Sequence, residues 1–242
     1  MSGDKRRRRR YERRMISVVI PALNAQHFLP AALEALVAPA LSGVVREVII
    51  VDGGSTDETL NIADGFGAKV LTSPPGRGGQ LKAGAEAARG PWLLFLHADT
   101  VLEEGWEKEA ARFMEGVAGK AAVFTLRFDA KGFAPRLVAA GAKARTHLFK
   151  APYGDQGLLI SKTLYDEIGG YAEMPLMEDV DLVRRLIKRK GRTALYVLKA
   201  KAVTSAARYK REGYARRVFR NLTILTRYSL GASPEQLAKD YR

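Results

Sequence analysis

Four times in the first hundred residues, a short apolar run that stops at proline or glycine alternates with a segment of helical pattern. The runs are MISVVIP (15–21), REVIIVDGG (46–54), AKVLTSPP (68–75) and PWLLFLHADT (91–100). Their β-branched, apolar character predicts buried strands. Between them, HFLPAALEALV (27–37) has helical periodicity. STDETLNIADGF opens with Ser/Thr and acidic residues, as a helix start does, and GRGGQLKAGAEAARG (76–90) enters a small-residue helix through glycines. Strands that are apolar on both faces and alternate with helices imply an α/β chain. Its central sheet is expected to be mostly parallel, with helices on both faces in an α/β/α sandwich.

The second half is less regular. KAAVFTLRF (120–128) and RTALYVL (192–198) predict strands, and PYGDQGLLIS (152–161) predicts a loop running into a strand. GFAPRLVAAGAKARTHLF (132–149) and EDVDLVRRLIKRKG (178–191) predict helices. From about 211 to 230, Tyr214, Val218, Leu222 and Leu225 recur at helical spacing with Arg216, Arg217, Arg220 and Arg227 between them. No internal repeat or long linker appears. The expected organisation is an arm (1–14), one domain (15–207) and a helical tail (208–242).

Charge separates these parts. The chain of 242 residues has a net charge of +14. Residues 1–14 carry eight basic and two acidic side chains, and residues 208–242 carry nine and three, so each end holds +6 and the body only +2. A nearly neutral body argues against nucleic acid as the partner. The arm, with little to bury, is expected to be disordered. The tail either packs on the domain or lies on an anionic membrane surface. The sequence has no cysteine, which excludes thiolate metal sites, iron–sulfur clusters and cysteine nucleophiles and fits a reducing compartment. No run of about 18 apolar residues predicts a membrane span. A cytoplasmic enzyme, peripheral at the inner face of the membrane, is the expectation.

In an open parallel sheet, ligands bind beyond the carboxyl ends of the strands. Those ends read Pro21–Asn24, Asp52–Asp57, Ser73–Gly79 and His97–Asp99. The first strand ends in PALNA rather than the GxGxxG of a dinucleotide fold, and neither a P-loop nor a GxSxG elbow occurs.

What remains is an ordered series: VVIPALN, IIVDGGSTDET, GRGGQLKAGA, LFLHADT, YGDQG and MEDVDL. Over roughly residues 15–205 this series resembles the family 2 glycosyltransferases, which have the GT-A fold. It is more closely similar to a bacterial subgroup with GRxxQ and PYGDQG signatures, known as the radical-SAM-associated type. The resemblance implies sugar transfer from a nucleoside-diphosphate sugar, with uridine favoured, to an acceptor hydroxyl. The transfer would be inverting and assisted by a divalent metal, Mn²⁺ or Mg²⁺.

The resemblance also assigns residues. Pro21, Ala22 and Asn24 would line the nucleotide pocket with Ala98. Asp52 would accept a hydrogen bond from the base beside Gly53, and Arg77 would meet base or phosphate, whereas Gln80 belongs to the subgroup signature without an assigned role. Asp99 takes the metal-binding position of the family's Asp-x-Asp. His97 replaces the first aspartate and either ligates the ion or bonds ribose or phosphate. Asp179 matches the catalytic base, with Glu178 orienting it. Trp106, Tyr153, Asp155 and Gln156 would border sugar and acceptor.

Ordinary structural roles compete at several positions. Asp52 fits a turn, Asp57 a helix cap, Trp106 a helix core, and Glu178 and Asp179 a helix N-terminus. Two other functions compete as well. One is a non-catalytic sugar-nucleotide or membrane-binding module on the same scaffold. The other is a nucleotidyltransferase, which would require a glycine-rich loop with lysine where PALNA stands.

Overall fold

The computed structural model describes residues 14–116 and 119–241. Of the arm (1–14) expected to be disordered, residues 1–13 lie outside the described residues, and Arg14 is described.

The first half follows the alternation. Strand β1 (Ile16–Ala22), helix α1 (Leu29–Leu41), β2 (Val45–Asp52), α2 (Thr59–Gly65), β3 (Lys69–Thr72), α3 (Arg77–Ala87) and β4 (Trp92–Phe95) succeed one another. β1 pairs in parallel with β2 and β4, and β2 with β3. Side chains alternate between the faces of a strand. Val18 and Ile20 of β1 therefore join one core cluster, with Leu33 and Ile50, while Val19 joins another on the opposite face with Ile49 and Leu81. Helices on both faces follow from this two-sided apolarity.

The second half comprises β5 (Thr100–Leu102), α4 (Trp106–Gly116), β6 (Ala121–Phe128), α5 (Phe133–Phe149), β7 (Leu158–Ser161), α6 (Lys162–Glu167), α7 (Glu178–Lys190), β8 (Leu195–Thr204), α8 (Ala207–Glu212), α9 (Tyr214–Ser229) and α10 (Pro234–Tyr241). The sheet has eight strands in the order β3-β2-β1-β4-β7-β6-β8-β5. β7 runs antiparallel to both β4 and β6, β6 and β8 are parallel, and β5 is antiparallel to β8. The parallel character thus belongs to the first half and the β6–β8 pair.

Two features differ from the sequence reading. The run 91–100 is not one strand: β4 stops at Phe95, and the Thr100 amide donates to the His97 carbonyl at 3.1 Å. That turn sets residues 97–99 at the strand end, where ligands bind. Helix α4, anticipated only through the competing helix-core role of Trp106, carries Trp106, Ala110 and Phe113 into the core. The tail begins with two helices rather than one, broken at Gly213. It packs on the domain through Ile224 and Leu237, which bury against Leu176. No described helix is long and apolar enough to cross a membrane.

Two residues of the GRGGQ segment hold the site's floor together. The Gln80 side-chain amide donates to the carbonyls of Ala22 (2.9 Å) and Val51 (2.7 Å), tying the ends of β1 and β2 to α3. Gly78 lets the start of α3 press against the loop at 172–174, because a Cβ there would meet the backbone of Ala172 and Met174. Gly78→Ala is expected to lower stability by about 1–3 kcal/mol, as other over-packed sites do. Thermal denaturation checks this, and an unchanged melting temperature would mean that the loop yields freely.

Candidate active site

Two cavities open at the carboxyl end of the parallel strands and meet at a seam. The larger, about 690 Å³, is lined by Pro21, Ala22, Asn24, Arg77, Ala98 and Asp99 among others. The smaller, about 120 Å³, includes Tyr153, Asp155, Asp179 and Asn221 in its lining. Arg77, His97, Asp99, Ser205 and Arg208 line both. The larger cavity falls in the size range of ordinary ligand pockets.

Local structure explains how each side chain arrives. Asn24 takes a left-handed conformation (φ 49°), which asparagine tolerates. Its Oδ1 accepts from the Thr56 amide at 2.9 Å, and its own amide donates to Ser55 Oγ at 2.8 Å, so the β1 and β2 loops brace each other. Asp57 accepts from the Gln26 and Thr59 amides at 3.1 and 3.0 Å, closing the same pair of loops and the start of α2.

Arg77 is the first residue of α3, and its Nε donates to Glu178 Oε1 on α7. Glu178 is fully buried. Burial raises its pKa, and Arg77 opposes that rise. The same guanidinium lies 3.8 Å from Asp179 Oδ2. The Tyr171 hydroxyl donates to Asp179 Oδ1 at 3.1 Å. Burial, followed by the charge of Asp179, raises the Tyr171 pKa well above its usual value, so this hydroxyl keeps its proton and remains a donor. Met177, just before the pair, is left-handed (φ 69°). That conformation is costly for a residue with a bulky side chain, and such strain is often found at functional sites.

His97 and Asp179 converge on Gly154. A Cβ on this glycine would run into Asp179 Oδ2 and His97 Nε2, so only glycine fits between them. His97 Nε2 is buried and has no hydrogen-bond partner among the described residues. Burial first, then the Arg77 charge, holds the His97 pKa down at about 4. The imidazole is therefore neutral at ordinary pH, able to ligate or to hydrogen-bond but not to supply positive charge. Among the described residues, no group of three or more His, Asp or Glu side chains could hold a metal by itself. Asp99, with His97 beside it, offers part of a coordination sphere. Phosphate oxygens and water would have to complete it, as is usual for Mg²⁺.

Several candidate residues are not brought to the cavities. Trp106 is in the core, edge-on to Phe124, because it faces inward on α4; it cannot stack on a sugar from there. Gln156 is buried too. Its amide donates to the Phe124 carbonyl (3.1 Å) and its Oε1 accepts from Thr146 (2.8 Å), which ties α5 to β6. Asp52 folds back on its own turn, with Oδ2 accepting from the Gly54 and Ser55 amides at 2.9 Å and Oδ1 from the Ser55 hydroxyl at 2.5 Å. Neither Asp52 nor Gly53 lines the two cavities. Glu178 sits behind Arg77 rather than at a cavity surface.

Conversely, sequence reasoning leaves Arg208 and Arg211 to the tail. The structure turns them onto the larger cavity by way of α8. Their signal is SAARYKR, directly after the last strand, which charge counting alone merges into a diffuse basic end.

A family model described as glycosyl transferase family 2 matches residues 17–171. A PGL/p-HBAD biosynthesis glycosyltransferase of Mycobacterium bovis is 39% identical over 97 residues, which is 37% of this chain and 37% of that protein. The chain therefore matches little more than a third of that relative's length. Among solved structures, glucosyl-3-phosphoglycerate synthase from Mycobacterium tuberculosis with Mn²⁺, UDP and glucosyl-3-phosphoglycerate superposes with a TM-score of 0.59 at 23% identity, over 78% of this chain and 70% of that one. The same enzyme with Mn²⁺ and UDP-glucose gives 0.60 at 21% identity, over 79% and 71%. The fold shared with these glycosyltransferases is GT-A.

Asp155 provides a pH test of the smaller cavity. Its Oδ1 is buried without a partner, and burial pushes its pKa from 3.8 up to about 6 despite the opposing charge of Arg145. The fold therefore favours the protonated carboxyl. That contribution is complete at pH below the unfolded value and is lost as pH rises through about 6. Asp155→Asn is expected to gain melting temperature relative to the parent across this window and to level off above it. A difference independent of pH would mean that the carboxyl titrates normally.

Proposed function

The chain belongs to glycosyl transferase family 2, and on that premise we propose that it moves a sugar from a uridine-diphosphate donor to an acceptor hydroxyl with inversion. Family membership is what the match shows; the activity, the donor, the acceptor site and the residue roles are our reading. The observation that carries this reading is the seam, where Arg77, His97 and Asp99 belong at once to a nucleotide-sized cavity and to the cavity holding Asp179.

In this reading the nucleotide lies against Pro21, Ala22, Asn24 and Ala98. Its diphosphate meets the guanidinium groups of Arg77, Arg208 and Arg211, which stabilise the charge that develops as it leaves. Asp179 takes the acceptor proton as the acceptor oxygen bonds to the anomeric carbon and the bond from that carbon to the diphosphate breaks. A single carboxylate opposite the leaving group suits inversion. Tyr171 and Arg77 hold Asp179 in place, with Arg77 itself fixed by Glu178. Asp155 and Tyr153 face the sugar or the acceptor. A divalent cation, when bound at Asp99, supplies Lewis-acid stabilisation of the diphosphate oxygens. The likeness to a synthase that binds UDP and Mn²⁺ supports trying these ligands first. GRGGQ (76–80) and PYGDQG (152–157) carry the likeness to the bacterial subgroup.

Calorimetric titration is expected to show UDP binding that Mn²⁺ strengthens, and GDP binding that is weaker. If neither nucleotide binds with or without the metal, the donor assignment is wrong. Asp179→Asn is expected to lower transfer by roughly 10²–10⁴-fold, the usual value of a general base, while UDP affinity stays as in the parent. Near-parental turnover in that variant would remove Asp179 from the role.

A further inference from the structure

Helices α5 and α9 leave between them an apolar groove that the proposed reaction does not use. It encloses about 670 Å³ and is lined by Phe133, Leu137, Val138, Val218, Phe219 and Leu222, among others. Phe133 and Phe219 are 80% and 73% exposed, and Leu137 and Leu222 are 59% and 50%. Large side chains this exposed and this close together mark a binding surface rather than ordinary scatter.

The groove is continuous with the smaller active-site cavity, since Tyr153, Asp155, Tyr209 and Asn221 line both. At its other end it shares Gly141, Arg145 and Leu222 with a second space of about 810 Å³, whose lining includes Phe149, Leu225 and Leu230. Lys150, Arg184, Lys188 and Arg192 border that far end. The path runs along α5, whose 17 residues span about 25 Å.

An occupant must therefore present a polar group at Asp155 and Asp179, a long apolar body along α5 and α9, and something tolerant of cations at the far end. The chain's own basic arm does not fit this description. It is highly charged, and the described residue where it ends, Arg14, pairs with Glu115 on α4.

We propose that this groove holds the hydrocarbon chain of the acceptor, so that the acceptor is a lipid with a hydroxyl-bearing headgroup, drawn from an anionic membrane surface. The inference rests on the glycosyltransferase reading of the adjoining cavity. The headgroup hydroxyl reaches Asp179 while the chain lies along α5. The cations at the far end face lipid phosphates, where attraction to an anionic leaflet is greatest.

The test uses n-dodecyl β-D-glucoside below its critical micelle concentration as a chain-bearing probe and methyl β-D-glucoside as its chainless control. Both are titrated calorimetrically into the full chain and into the Leu137→Glu/Leu222→Glu variant, with UDP titrated into each protein alongside. The dodecyl compound is expected to bind the parent at least about tenfold more tightly than the methyl compound, the minimum that burying one large apolar side chain's worth of surface provides. The variant is expected to lose that preference and to keep parental UDP affinity, which also shows that it is folded.

Equal binding of the two glucosides by the parent, with UDP bound normally, overturns the groove and leaves the donor reading standing. A variant that keeps the dodecyl preference overturns it too. So does a dimer, seen by sedimentation, that the variant converts to monomer, because the groove would then be an interface between copies. Failure of UDP to bind the parent removes the donor reading and this inference with it.

Discussion

The ion pair between Arg77 and Glu178 joins the two halves of the molecule. Glu178 has no exposed surface, so its charge depends on the Arg77 guanidinium, whose side chain is 36% exposed where it lines the cavities. Removing Arg77 would strand a buried carboxylate. That requirement fixes the first residue of α3 against the first residue of α7. Gly78 follows, since any side chain there would hold α3 away from the 172–174 loop. The placement of Asp179 follows as well, because the same guanidinium flanks it and Tyr171 reaches it from the segment before α7. The pair therefore sets the distance between the nucleotide-sized cavity and the carboxylate facing it.

The first half of the fold is legible in the sequence because its strands are buried on both faces. A run such as VVI or VIIV has no other comfortable place, and its ending at proline or glycine marks where the sheet stops. The strand-end rule then brings Asn24, Arg77, His97 and Asp99 to one place without any knowledge of contacts. The second half is less legible. Strand β7 is a four-residue antiparallel insertion, and nothing in LLIS states its direction.

The candidate residues that lie away from the cavities share one cause. Trp106, Gln156 and Asp52 are of residue types that bind sugars or bases, and they stand beside the right motifs. Each faces inward, however: Trp106 on the buried side of α4, Gln156 between Thr146 and the Phe124 carbonyl, and Asp52 over its own turn. Facing is decided by tertiary packing, which spacing along the chain does not encode. Arg208 and Arg211 fail in the opposite direction. Composition counts them as surface charge, while Gly213, which separates α8 from α9, leaves α8 a short helix over the larger cavity.

Two residues that line the smaller cavity bury polar atoms without hydrogen-bond partners among the described residues, His97 Nε2 and Asp155 Oδ1. An unsatisfied buried group costs about 1–3 kcal/mol, so a surface that carries both is shaped for a ligand at some expense to stability. The charges around them point the same way. With histidine at position 97, Asp99 is the carboxylate common to both cavities, whereas Arg77 and Arg208 each reach both. Asp155 and Asp179 gather on the side of the smaller cavity, while Arg211 adds its positive charge to the larger one, so the two cavities differ in charge across the residues they share.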